Sequence, residues 1–205
     1  MEYFSEYILK LDELKRGEKT KFDVSLIVAE PTKSFCVGMN EKINNYVDGE
    51  IKFSEESIIF PHISLFMGFI DSFDMLAEVF KVVNRFSKNT APFNLDYNKM
   101  YFKGVSPTAA QYLFVDPLQN DYLMKQKEII DNHLSDLVYP IGWNMKEEQA
   151  HITIGCYKNL TSNVRKMIDF ENAIPSCRIS QVGISLTGNR GVCLGLLKVF
   201  DLTGN

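Results

Sequence analysis

Two of the three histidines in this 205-residue chain stand in near-identical company, "PHISLFMGF" at 61–69 and "AHITIGCYK" at 150–158. In each stretch the His is followed two positions later by a hydroxyl, Ser64 or Thr153, with apolar residues between and after. Imidazole, with a pKa near about 6.5, is the side chain that takes up and gives up a proton close to neutral pH. A neutral ring and a protonated ring on either side of one phosphorus atom supply a base for an attacking hydroxyl or water, and an acid for the leaving oxygen. Neighbouring Ser and Thr hydroxyls can donate to the non-bridging phosphate oxygens, where negative charge grows. His62 and His151 are therefore the candidate acid–base pair, and Ser64 and Thr153 the candidate phosphate-binding hydroxyls. Such a pair needs no metal ion and no other cofactor, and its rate should follow a bell-shaped pH profile.

For this chemistry each His must share a face with its hydroxyl, which a β-strand provides because side chains alternate with period two. That alternation puts His62, Ser64 and Phe66 on one face and Ile63, Leu65 and Met67 on the other. It likewise opposes His151, Thr153 and Gly155 to Ile152, Ile154 and Cys156. Each strand then has a greasy back and a front carrying half a site; two fronts across a groove make a whole one. His133, in "IIDNHLSDL", also has a Ser two residues on, but it lies in a helical stretch where the two side chains diverge, and it is read as structural.

The remaining pattern supplies supports for the two strands. Phe4, Ile8, Leu11 and Leu14 recur at helical spacing over 3–15, with Gly17 closing the helix. A β-rich run follows at 22–29, a helix near 34–47, and a short strand after Gly49. The helix at 71–89 has Ser72 as its N-cap. Two or three strands broken at Gly104 and Pro107 come next, then helices at 120–137 and 160–170, and a closing hairpin turning through "TGNRG". Strands and helices mix in both halves, and each half holds one His strand. The expected architecture is α+β: a duplicated, bilobal β-sheet fold with two antiparallel-sheet lobes facing a central groove and helices outside. The expected domains are an N-terminal helical extension, 1–21, and one bilobal body, 22–205.

Composition narrows the partners. The chain is 45% hydrophobic and 23% charged with a net charge of −4, so a basic stripe for a long duplex is not expected. No apolar run approaches the roughly 20 residues that span a bilayer, and the charged start does not read as an export signal. A cytoplasmic location is expected, the host cytosol if the protein is viral, with no membrane and no obligate protein partner. Cys36, Cys156, Cys177 and Cys193 are far apart in the chain and are read as reduced, mostly buried thiols without zinc-ligand spacing.

With "HISL" and "HITI" in place, 89 residues apart, the sequence resembles the two-histidine (2H) phosphoesterases, among them 2′,3′-cyclic phosphodiesterases (2′-5′ RNA ligases) and 2′,5′-phosphodiesterases. The resemblance covers roughly 22–202, and its specific part is the pair of tetrapeptides. It implies His62 and His151 as the catalytic pair, Ser64 and Thr153 as the phosphate ligands, no metal, and Lys158 as the basic residue that often follows the second motif. It implies a metal-independent phosphodiesterase cleaving 2′-linked or cyclic phosphodiesters of a short oligonucleotide or nucleotide. Bases would need flat surfaces to stack on, and Phe66, Tyr157 and Tyr101 are candidates, or else core residues. The competing readings are a non-catalytic nucleotide- or RNA-binding module using the same groove, and a duplicated RNA-recognition sheet, for which "YFKGVSP" is a poor match to the aromatic signature.

Overall fold

A computed structural model describes residues 2–53, 58–104, 110–141, 149–169 and 173–204. The β-rich run becomes β1 (Thr20–Ile27), whose Phe22, Val24 and Leu26 point into the core while Lys21, Asp23 and Ser25 take the other face. It pairs antiparallel with the first His strand, β2 (His62–Ile70), after α2 (Thr32–Asn44). α3 (Phe73–Asn89) follows, and Ser72 caps it by accepting a hydrogen bond from the Met75 amide at 3.3 Å.

The second half opens with β3 (Phe93–Leu95), β4 (Tyr97–Lys103) and β5 (Gln111–Pro117); the break expected at Pro107 lies outside the described residues. It continues through α4 (Asn120–Leu134), the short β6 (Tyr139–Pro140) and the second His strand, β7 (Ile152–Tyr157). The chain ends with α5 (Ser162–Asp169), β8 (Cys177–Ile179), β9 (Gln181–Thr187) and β10 (Cys193–Asp201), the last two forming the expected hairpin. The strand expected after Gly49 is reduced to an isolated bridge between Gly49 and Tyr157.

These elements build two antiparallel sheets, as expected: β10-β9-β1-β2-β6 and β4-β5-β7, with β3-β8 as a small third. Each large sheet holds one His strand hydrogen-bonded to a strand from its own half, β1 to β2 and β5 to β7. The helices are exchanged between the lobes. α2, which follows β1, packs on β7, and α4, which follows β5, packs on β2. One continuous apolar cluster runs from Val24, Leu26 and Ile63 in the first sheet to Leu113, Ile152 and Ile154 in the second.

The first helix, α1 (Glu2–Lys15), forms where the spacing predicts, but its buried stripe is rotated. Phe4 and Ile8 are exposed, while Tyr3, Tyr7 and Leu14 face inward. The phenol explains the preference: the Tyr3 hydroxyl donates to the Glu50 carbonyl at 3.3 Å and accepts from the Lys52 amide at 3.1 Å, bonds a Phe cannot make. Among the described residues no helix is long and apolar enough to cross a membrane.

Candidate active site

The two His strands share a distortion that period-two alternation cannot foresee. On β2, Ser64 pairs with Ser25 and Phe66 with Val24, leaving Leu65 as an extra, bulged residue. On β7, Thr153 pairs with Phe114 and Gly155 with Leu113, leaving Ile154 as the extra one. The bulge thus follows the hydroxyl in both motifs, and a bulge re-aims the side chains beyond it. Before it, His62 and Ser64, like His151 and Thr153, keep the common face that alternation predicts. After it the faces swap.

That swap corrects two expectations. Phe66 turns into the core, 4% exposed, with its ring 6.0 Å from Phe22, and Met67 takes its place beside the groove. Tyr157 is wholly buried, and Asn40 of α2 donates to its hydroxyl at 3.3 Å. Neither ring is offered to a base. The Tyr157 ring lies over Gly155, where a Cβ would fall 2.3 Å from the phenolic oxygen. Gly155→Ala should therefore cost roughly 3 kcal/mol, read as a lowered thermal midpoint.

His62, Ser64, His151 and Thr153 line one cleft of about 1000 Å³. Each ring is oriented alike: Nδ1 of His62 lies 2.9 Å from the Phe60 carbonyl, and Nδ1 of His151 lies 2.9 Å from the Gln149 carbonyl. A carbonyl only accepts, so both Nδ1 atoms carry the hydrogen and each ring's Nε2 is the atom left for proton exchange.

Their surroundings differ. The His151 ring stacks on Phe114, with centroids 3.9 Å apart, and Tyr112 stacks on Phe114 in turn. His62 stands over a polar floor: its Nε2 is 3.2 Å from Cys193 Sγ, and the buried Asp23 lies beside both. Burial raises the Asp23 carboxyl above its usual range, against the pull of His62, and raises the Cys193 thiol well above its own.

Lys21, Lys103, Lys127 and Arg190 also line the cleft, and no carboxylate does among the described residues. Basic residues scattered along the chain thus converge here in a protein of net charge −4. Burial lowers the Lys21 pKa, while Asp23 opposes that shift. Arg190 adopts a left-handed backbone, φ 60°, at the rim. It is bonded to Glu50, which also holds Lys158 at 2.7 Å. Lys158 itself is not among the residues lining the cleft.

Tyr101 is likewise not among the lining residues; it stands edge-on to Phe114 at 6.0 Å. The part-exposed aromatic ring of the cleft is Tyr112, with the buried Phe114 backing His151, and sequence reading singled out neither. The alternation in "QYLFVD" was its available signal. His133 lies on α4 beside a separate hollow with Arg85 and Tyr122.

Two antiparallel sheets, each with one His–hydroxyl pair, agree with the duplicated-sheet fold that the sequence resemblance to the 2H phosphoesterases implied. Comparison with solved structures agrees. The chain is similar to TT0787 of Thermus thermophilus (TM-score 0.65, 13% identity, covering 90% of this chain and 99% of that one). It is also similar to E. coli LigT complexed with 3′-AMP (TM-score 0.57, 11% identity, 91% and 99%). A third similar structure is a phosphoesterase (TM-score 0.55, 12% identity, 91% and 99%). No protein-family model matches the sequence, and a search of curated proteins finds no match. What the chain shares with these structures, at such identity, is the fold.

Proposed function

We propose that this protein is a phosphodiesterase that cleaves 2′-linked or cyclic phosphodiesters of a short oligonucleotide or nucleotide by His/His acid–base catalysis, without a catalytic metal. The observation that carries the reading is the convergence of His62–Ser64 and His151–Thr153 on one cleft ringed by basic side chains. With a 2′,5′ linkage, Nε2 of one His accepts the proton of the 3′-hydroxyl, and O3′ forms a bond to phosphorus. The P–O5′ bond breaks, and the other His gives its proton to O5′, leaving a 2′,3′-cyclic phosphate and a 5′-hydroxyl. With a cyclic phosphate, water attacks instead and a ring P–O bond opens. Ser64 and Thr153 donate to the non-bridging oxygens in either case. The weak thiol contact from Cys193 to His62 Nε2 gives way to the substrate oxygen.

A cleft of about 1000 Å³ suits two or more nucleotides, the part-exposed Tyr112 offers a stacking ring, and the lysines and Arg190 match several phosphates. The test is to incubate the protein with 2′,5′-linked dinucleotide, 2′,3′-cyclic and cyclic-dinucleotide substrates, with and without a chelator, and separate the products. Cleavage that persists with the chelator is expected. Binding without cleavage across the panel would make this a binding module, and loss of turnover on chelation would overturn the metal-free mechanism.

A further inference from the structure

The floor beneath His62 contains more polar chemistry than the proposed reaction uses. Asp23 is fully buried, with the Ser64, Ser25 and Cys193 side chains against its carboxyl, although none meets either oxygen in good hydrogen-bond geometry. The hydroxyls of Ser25 and Ser185 are buried beside it in the same condition, and so is that of Thr187, which pairs with Cys193 in the hairpin. Burial disfavours the charged form of this carboxyl, and a cation bound beside it would restore that form. A carboxylate oxygen of Asp23, a ring nitrogen of His62 and the Cys193 sulfur all lie within 4.8 Å of one another. The Cys193 Sγ to His62 Nε2 distance, 3.2 Å, is already near the edge of a tetrahedron with metal bonds of about 2.0–2.3 Å.

We propose that Asp23, His62 and Cys193 form a zinc-class metal site buried beneath His62, under the lining of the cleft, whose occupancy withdraws His62 from proton transfer. Thiolate, imidazole and carboxylate together select a borderline-soft ion such as Zn²⁺ over Mg²⁺ or Ca²⁺. Binding releases the Cys193 thiol proton to solvent and leaves a fourth position open on the cleft side. The Ser25 hydroxyl beside Asp23 and the Ser185 hydroxyl beside Cys193 would then serve as outer-shell donors, which fix ligand orientation in such sites. Each ligand comes from a different strand (β1, β2 or β10), which is why no ligand spacing shows along the chain. The metal binding stands apart from the proposed activity; the inhibition rests on it.

The experiment is a titration of the apo-protein with Co²⁺, read by absorption, in parallel with Zn²⁺ added to a turnover assay. One equivalent should produce a thiolate-to-cobalt charge-transfer band, competed away by Zn²⁺. Cys193→Ser should abolish the band, and Asp23→Asn should weaken binding by more than about tenfold. Cys177→Ser, which alters another buried thiol, should leave the band intact. Zn²⁺ at one equivalent should suppress turnover, and a chelator should restore it. Absence of the band in the wild-type protein, or its survival in Cys193→Ser, overturns the site. A band in a protein that cleaves nothing would uphold the site and remove the proposed activity instead. A band with turnover unaffected by Zn²⁺ would uphold binding and overturn the inhibition.

Discussion

Replacing His62 or His151 with Gln should each lower the turnover of a cleavable 2′-linked phosphodiester by about 10²–10⁴-fold. Gln preserves much of the volume without a nitrogen that titrates, so folding should be spared and the loss should appear in kcat. Because the two rings act on one phosphorus atom, the double variant should be little worse than the poorer single one. Ser64→Ala and Thr153→Ala should each cost about 10²–10³-fold, the loss typical of removing one donor to a developing oxyanion. A single-His variant that turns over normally would break the pairing on which the proposed function depends.

The largest stability effect should come from a residue outside the cleft, Asn40. Fully buried on α2, it donates to the carbonyls of Ile51 at 2.9 Å and Ile154 at 2.8 Å, and its own carbonyl accepts from the Phe53 amide at 2.8 Å. Ile154 is the bulged residue of the second His strand. Asn40→Ala would strand the Ile154 carbonyl and the Phe53 amide, and leave the Ile51 carbonyl only a 3.5 Å contact from Asn44. The expected cost is on the order of 3–5 kcal/mol, lowering the thermal midpoint by roughly 10 °C. Turnover should also fall well below the melting range, because Ile154, the residue directly after Thr153, loses the bond that anchors its carbonyl. An Asn40→Ala protein that melts within about a degree of the parent would show that the bulge holds without it.

How much of this was legible follows from the physics of each signal. Two strands with His and hydroxyl two apart were visible because period two needs only local sequence, and the helix at 71–89 was visible through Ser72 and its apolar spacing. Alternation failed one residue past each hydroxyl, where Leu65 and Ile154 bulge. That single cause misplaced both Phe66 and Tyr157. A bulge is set by the partner strand's register, which no stretch of nine residues encodes alone. Phe4 and Ile8 were misassigned for a related reason: helical spacing offered two stripes, and hydrogen bonds to Glu50 and Lys52 chose the one with Tyr3. The basic lining of the cleft and the Asp23–His62–Cys193 cluster were invisible because their members come from distant parts of the chain.

The exchange of α2 and α4 between the sheets fixes how the molecule can move. A jaw-like opening would have to drag each helix off the opposite sheet and expose the apolar seam that unites them, a loss no small ligand could offset. On that account the gap between the walls should change little when a ligand enters it.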